Sequence, residues 1–163
     1  MKNNFHKDLK YSFSKKDFWE QVYKKAFSIM TGIIDLSNDR KAQADGVDTI
    51  VKLPYGGRLS IDEKMRRQYR PDILIEYVSN DKSGSPGWIE KDLKIDFIAY
   101  AYMDINRVLF VPYNELKKLW SDNKEKWLKR YKIPPAKNTG YNTLNVAVPL
   151  EELKPLKIIT VQL

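Results

Sequence analysis

A run rich in β-branched residues, a tight turn and a returning run together constrain the chain most. Residues 47–53 read VDTIVKL, residues 54–57 read PYGG, and residues 58–66 read RLSIDEKMR. β-Branched side chains suit a pleated strand, and a short Pro/Gly cluster reverses the chain. A hairpin is therefore expected here. Side chains alternate between the faces of a strand, so Asp62 and Lys64 share one face and Glu63 takes the other. Asp48 lies about six residues before the turn and Asp62 about five after it. Asp48 can thus approach Asp62, given a modest stagger or bulge.

The remaining elements follow from periodicity and punctuation. Ser14-Lys15-Lys16-Asp17 matches a capping box. Behind it Phe18, Val22, Ala26, Ile29 and Ile33 recur at helical spacing, which predicts a helix over 15–34 and a loop at 36–39. Residues 72–78 (DILIEYV) read as a third strand, and 80–87 (NDKSGSPG) as a polar loop. In 93–103, Ile95, Phe97, Ala99 and Ala101 alternate with Asp96, Ile98, Tyr100 and Tyr102, which favours a strand. A short strand at 108–111 precedes a helix at 114–131, with Leu116, Leu119, Trp120, Trp127 and Leu128 near one stripe and Pro134-Pro135 beyond its end. Strands close the chain at 144–148 and 158–163. The expected fold is α/β, a mixed central sheet flanked by helices, in one domain spanning the 163 residues.

Composition removes several classes of function. There is no cysteine, so disulfides, thiolate metal sites and cysteine nucleophiles are excluded. The single histidine, His6, sits in a polar N-terminal stretch and reads as solvated, which leaves no basis for a histidine metal site or a Ser-His-Asp triad. No Gly-rich phosphate loop is present, which argues against ATP hydrolysis. The N-terminal stretch lacks the apolar segment of a signal peptide, and no run approaches a membrane span, so a soluble cytoplasmic protein is expected. A formal net charge of +8 and a pI of about 9.4 favour a polyanionic partner.

The carboxylates carry the chemistry. Mg²⁺ is held by one or two carboxylates together with water and substrate phosphate. Asp48 and Asp62 supply these, and the backbone carbonyl of Glu63 can add a third oxygen. A bound ion would acidify its water and neutralise charge on a scissile phosphate. Lys64 would orient the attacking water or stabilise the phosphorane. Asp45 is an alternative ligand to Asp48, but it precedes Gly46 and better suits the turn into the strand. Read alone, without Asp48 and its strand, Asp62-Glu63-Lys64 is better taken as a solvated charge cluster on an edge strand. The basic stretch 64–70 (KMRRQYR) is expected to track phosphates. The Lys/Arg-rich face of the second long helix reads as a solubility face, and Trp88, Trp120 and Trp127 as core.

An aspartate followed by (D/E)-x-K on two adjacent strands after a first helix resembles the PD-(D/E)XK nuclease superfamily. Gln43-x-x-Gly46-x-Asp48 followed by Ile61-Asp62-Glu63-Lys64 is similar to a subgroup of small bacterial and phage proteins of that superfamily. Gly87-Trp88, Asp96-Phe97 and the strand leading into the second helix resemble their later segments. The likeness covers roughly residues 42–120. It implies a restriction-endonuclease-like αβββαβ core with extra strands, and a Mg²⁺- or Mn²⁺-dependent endonuclease with DNA as partner and a homodimer as one possible assembly. It assigns Asp48 as the first metal aspartate, Asp62 as the second acidic ligand and Lys64 as the catalytic lysine. Gln43 is assigned as an accessory, and Glu20 as the glutamate of the first helix. Val47 stands where the motif has proline. The literal Pro71-Asp72 is a decoy, because the lysine does not follow it.

Overall fold

Helical periodicity at the N-terminus gives way to a strand sooner than the sequence suggests. The computed structural model describes the backbone of residues 3–163 and the side chains of residues 15–163, so the side chains of His6 and Ser14 lie outside the described residues. Helix α1 spans Asn3–Ala26 and β1 spans Gly32–Asp35. The helix expected over 15–34 therefore starts earlier and stops earlier, and Ser14 falls inside it rather than at its cap. Trp19, Val22 and Tyr23 are the apolar stripe that packs. Ile29 is 67 % exposed, and Ile33 lies in β1 instead. The physical reason is competition: Gly32-Ile33-Ile34 pairs with a neighbouring strand, and that ladder outweighs continuation of the helix.

The hairpin forms as expected. Strand β2 covers Thr49–Lys52 and β3 covers Arg58–Arg66, antiparallel, with Thr49 opposite Ile61 and Lys52 opposite Arg58. A short helix, α2 at Arg40–Ala44, precedes it in a stretch to which the sequence reading assigns no element. Asp39 caps α2, its carboxylate accepting from Ala42 N at 2.9 Å.

After β3 the chain leaves the sheet. Strand β4 (Asp72–Asn80) and the short β5 (Ser85–Pro86) join a second sheet, and the chain returns as β6 (Phe97–Tyr102), parallel to β3. Parallel strands need such a crossover, because a tight turn cannot connect them. Strand β7 (Arg107–Pro112) leads into helix α3 (Tyr113–Tyr131). Then come β8 (Ala136–Lys137), β9 (Asn142–Pro149) and β10 (Ile159–Gln162). The larger sheet has the order β1-β2-β3-β6-β7-β10 and is antiparallel except between β3 and β6; the smaller has the order β5-β4-β9-β8. The fold is thus α/β with a mixed sheet and few helices. Residues 72–78 do form a strand, but it lies beside β9 in the second sheet.

Alternation along β6 explains the layering. Ala99 and Ala101 face α1 together with Val51, Ile61 and Phe110. Ile98, Tyr100 and Tyr102 face the smaller sheet and α3, against Ile73, Ile75, Val146 and Trp120. Strands β6 and β7 are covered on both faces and are almost wholly apolar, whereas β3 carries the polar Asp62, Glu63 and Lys64. Trp88, Trp120 and Trp127 are buried, as the sequence indicates. Among the described residues no helix is long and apolar enough to cross a membrane.

Candidate active site

Asp48 stands one residue before the first ladder pair of β2, opposite Asp62 if the register is continued. Its NH donates to Ile61 O at 2.9 Å, and its backbone carbonyl accepts from Leu36 N at 2.8 Å. Its Oδ2 accepts from Glu63 NH at 2.8 Å. The carboxylate thereby takes the place of a backbone carbonyl where the two strands begin to part. Gln43, in the last turn of α2, donates from Nε2 to Asp48 Oδ1 at 2.9 Å and to Val47 O at 3.2 Å. Gly46 links α2 to the strand with φ +78°, and a Cβ there would meet Leu93 at 2.9 Å. The Gln-x-x-Gly-x-Asp spacing is thus a helix end, a left-handed turn and a strand start that hold one carboxylate. Asp45 sits at the C-terminal cap of α2, with its NH on Lys41 O and its carbonyl accepting from Lys94 N.

Asp62 is 5 % exposed. Lys64 grips both its oxygens, with Nζ 2.9 Å from Oδ1 and 2.8 Å from Oδ2. Burial pushes the Asp62 carboxyl up to about 6; Lys64 opposes this and the Asp48 carboxylate adds to it. Lys64 Nζ also stands 5.8 Å from the centroid of the Trp88 ring. Trp88 is brought there by Gly87, where a Cβ would lie 2.2 Å from Glu76 O, so no larger residue fits without moving backbone. The carbonyl of Trp88 lies 3.0 Å from Tyr113 Oη, which donates to Lys91 O at 2.6 Å. Asp96 holds the start of β3, its Oδ2 accepting from Ser60 N at 2.7 Å.

Glu63 points to the other face. Its Oε1 accepts from Tyr23 Oη and from Thr49 Oγ1, each at 2.7 Å. Burial raises its pKa, while these two donors oppose the rise. It lines a cleft of about 880 Å³ between α1 and the hairpin, together with Trp19, Glu20 and Lys24. Glu20 pairs with Lys24 at 2.6 Å. Asp48, Asp62, Lys64 and Gln43 therefore gather at one place, whereas the Glu20 and Glu63 side chains share the opposite face. Among the described residues no group of three or more His, Cys, Asp or Glu side chains is arranged to hold a metal ion. What the pair offers a cation is two hard carboxylates, one of them with a pKa raised mainly by its burial, and oxygen donors of this kind are what Mg²⁺ takes.

The literal Pro71-Asp72 serves structure: Asp72 pairs with Arg66, and its backbone carbonyl accepts from Tyr102 Oη at 2.7 Å. Sequence reasoning passed over Tyr23 and Thr49 as holders of Glu63 and Trp88 as the neighbour of Lys64. The β2–β3 register carried the signal for Thr49, since it lies opposite Ile61 and diagonal to Glu63. In comparisons with models of protein families, with curated proteins and with solved structures, nothing matches this chain.

Proposed function

We propose that the chain is a Mg²⁺- or Mn²⁺-dependent nuclease that hydrolyses DNA phosphodiester bonds. One observation carries the reading: Asp48 and Asp62 converge from adjacent antiparallel strands, with Lys64 on Asp62 and Glu63 turned away. Asp48 and Asp62 would hold the ion, with the Glu63 carbonyl as a further oxygen. The bound ion supplies an activated water and charge neutralisation at phosphate. Gln43 fixes the Asp48 carboxylate. Lys64, which pairs with Asp62 in this structure, would be the group that engages the phosphate or its attacking water. Chain order supports a restriction-endonuclease-like core: α1, β1, β2, β3 and then β6 parallel to β3, with the β4–β5 segment where a crossover helix would stand. Glu20 would join the site only by leaving Lys24 and the opposite face.

A second reading has its own observation. Lys64 already neutralises Asp62 through both oxygens, and among the described residues no third acidic side chain joins the pair as a metal-holding group. A DNA- or partner-binding protein that keeps such a scaffold without turnover would look the same. Supercoiled plasmid separates the two. The nuclease relaxes or linearises it in Mg²⁺ or Mn²⁺ and not in EDTA; a binder retards it in both and cuts in neither.

A further inference from the structure

The far end of the same hairpin carries a feature that the site does not explain. Tyr55 sits at the turn between β2 and β3 with its side chain fully exposed, at 108 %. Its backbone is left-handed, φ 58° and ψ 28°, followed by Gly56 at φ +80°. Two successive positive φ values make the tight reversal that matches strand twist, and Asn or Gly is the usual first residue. A bulky aromatic is unfavourable there, and its ring gains no packing in return. Only two non-glycine residues among those described have positive φ, and the other is Asn106, for which the conformation is ordinary.

The surroundings say what the ring meets. Lys52 and Arg58 are cross-strand partners just below the turn. Both are exposed, and among the described residues neither pairs with a carboxylate. Thr31 N bonds to Lys52 O at 2.9 Å, which brings the exposed Ile29 to the same end. An exposed aromatic flanked by two unpaired cations has the chemistry of a single-strand nucleic-acid contact: a base face on the ring and phosphates on the cations. A purely apolar partner surface would leave both cations desolvated and unpaired.

We propose that the β2–β3 turn is a docking point for single-stranded DNA, with an unpaired base stacked on Tyr55 and flanking phosphates on Lys52 and Arg58. This rests on the nuclease reading, which it extends by naming a substrate with an unpaired segment. Asp48 and the turn are separated by about 17 Å of strand. At the ~3.4 Å rise of a stacked strand that span takes up at most about five nucleotides, and an extended single strand covers it in fewer.

The test is fluorescence anisotropy in EDTA, where no cleavage intervenes, with a short single-stranded oligonucleotide and its blunt duplex. Tyr55→Asn keeps a residue suited to the turn and removes the ring. It should keep or raise the melting temperature while weakening single-strand binding at least about fivefold, with less effect on the duplex. Lys52→Ala/Arg58→Ala should make the slope of log affinity against log salt shallower by about 1.4, as expected for two lost phosphate contacts on a single strand. Wild-type binding with unchanged affinity and slope in these variants overturns the docking point and leaves the nuclease reading standing. An equal loss on the blunt duplex overturns the unpaired-base assignment. A Tyr55-dependent dimer in sedimentation assigns the tip to a second copy of the chain and overturns the proposal. If the wild type binds no DNA of either form, the reading beneath it fails as well.

Discussion

Asp62 is stored in the fold at a cost, and the sign of that cost is testable. Its folded pKa of about 6 lies above the ordinary carboxylate value, so the native state holds a proton that the unfolded chain has released. Between about pH 4 and 6 the unfolded state binds fewer protons, and stability falls as pH rises; above that window the loss is complete. The shift corresponds to about 3 kcal/mol as an upper figure. Asp62→Asn should therefore unfold at a higher temperature than wild type at pH 7 to 8 without divalent ions, and the difference should vanish near pH 4. A variant less stable than wild type at both ends would contradict the account. Asp62→Ala should lose Mg²⁺ binding by calorimetry. Lys64→Ala should slow cleavage roughly a hundredfold or more while most DNA affinity remains, because the lysine acts on the reacting phosphate. At this scale the sequence was informative where periodicity alone decides: the opposed faces of Asp62 and Glu63 follow from strand alternation. The Tyr23 bond to Glu63 spans 40 residues and depends on how a helix lies over the sheet, which no local pattern encodes.

Elements were legible in proportion to how local their causes are. The span Arg58–Arg66 of β3 agrees with the reading, because the Pro54–Gly57 turn fixes one end and β2 supplies the partner it pairs with. Helix α3 agrees to within a residue for similar reasons. The end of α1 did not, because Gly32–Asp35 is recruited by β2, a decision made by pairing rather than by propensity. The assignment of β4 to a second sheet was also hidden, since its DILIEYV pattern is the same whichever sheet accepts it. The link between β4 and the site yields a prediction. Gly87 lies against the β4 backbone at Glu76 and Tyr77 and delivers Trp88 beneath Lys64. Gly87→Ala should destabilise the protein by about 2 kcal/mol or more, since backbone must move. Denaturant unfolding would check this; a midpoint like wild type would show that the close approach is not maintained.

Across the whole molecule, charge and layering divide the labour. The mixed sheet is covered by α1 on one side, apart from the cleft at Glu63, and by the smaller sheet with α3 on the other. The proposed centre lies where β2 and β3 part, on the face away from that cleft. For the proposed DNA substrate, the net charge of +8 predicts an affinity that falls with added salt, whatever the substrate's form. The central claim is that Asp48, Asp62 and Lys64 form a metal-dependent phosphodiesterase centre. Its most direct test is the rate at which purified wild type, Asp48→Asn and Lys64→Ala cleave labelled linear, branched and single-stranded DNA in Mg²⁺ or Mn²⁺. Wild type should cleave at least one of these substrates in a metal-dependent way, and both variants should lose at least about a hundredfold in rate while staying folded. Wild type inert on all three, or variants as fast as wild type, would contradict the account.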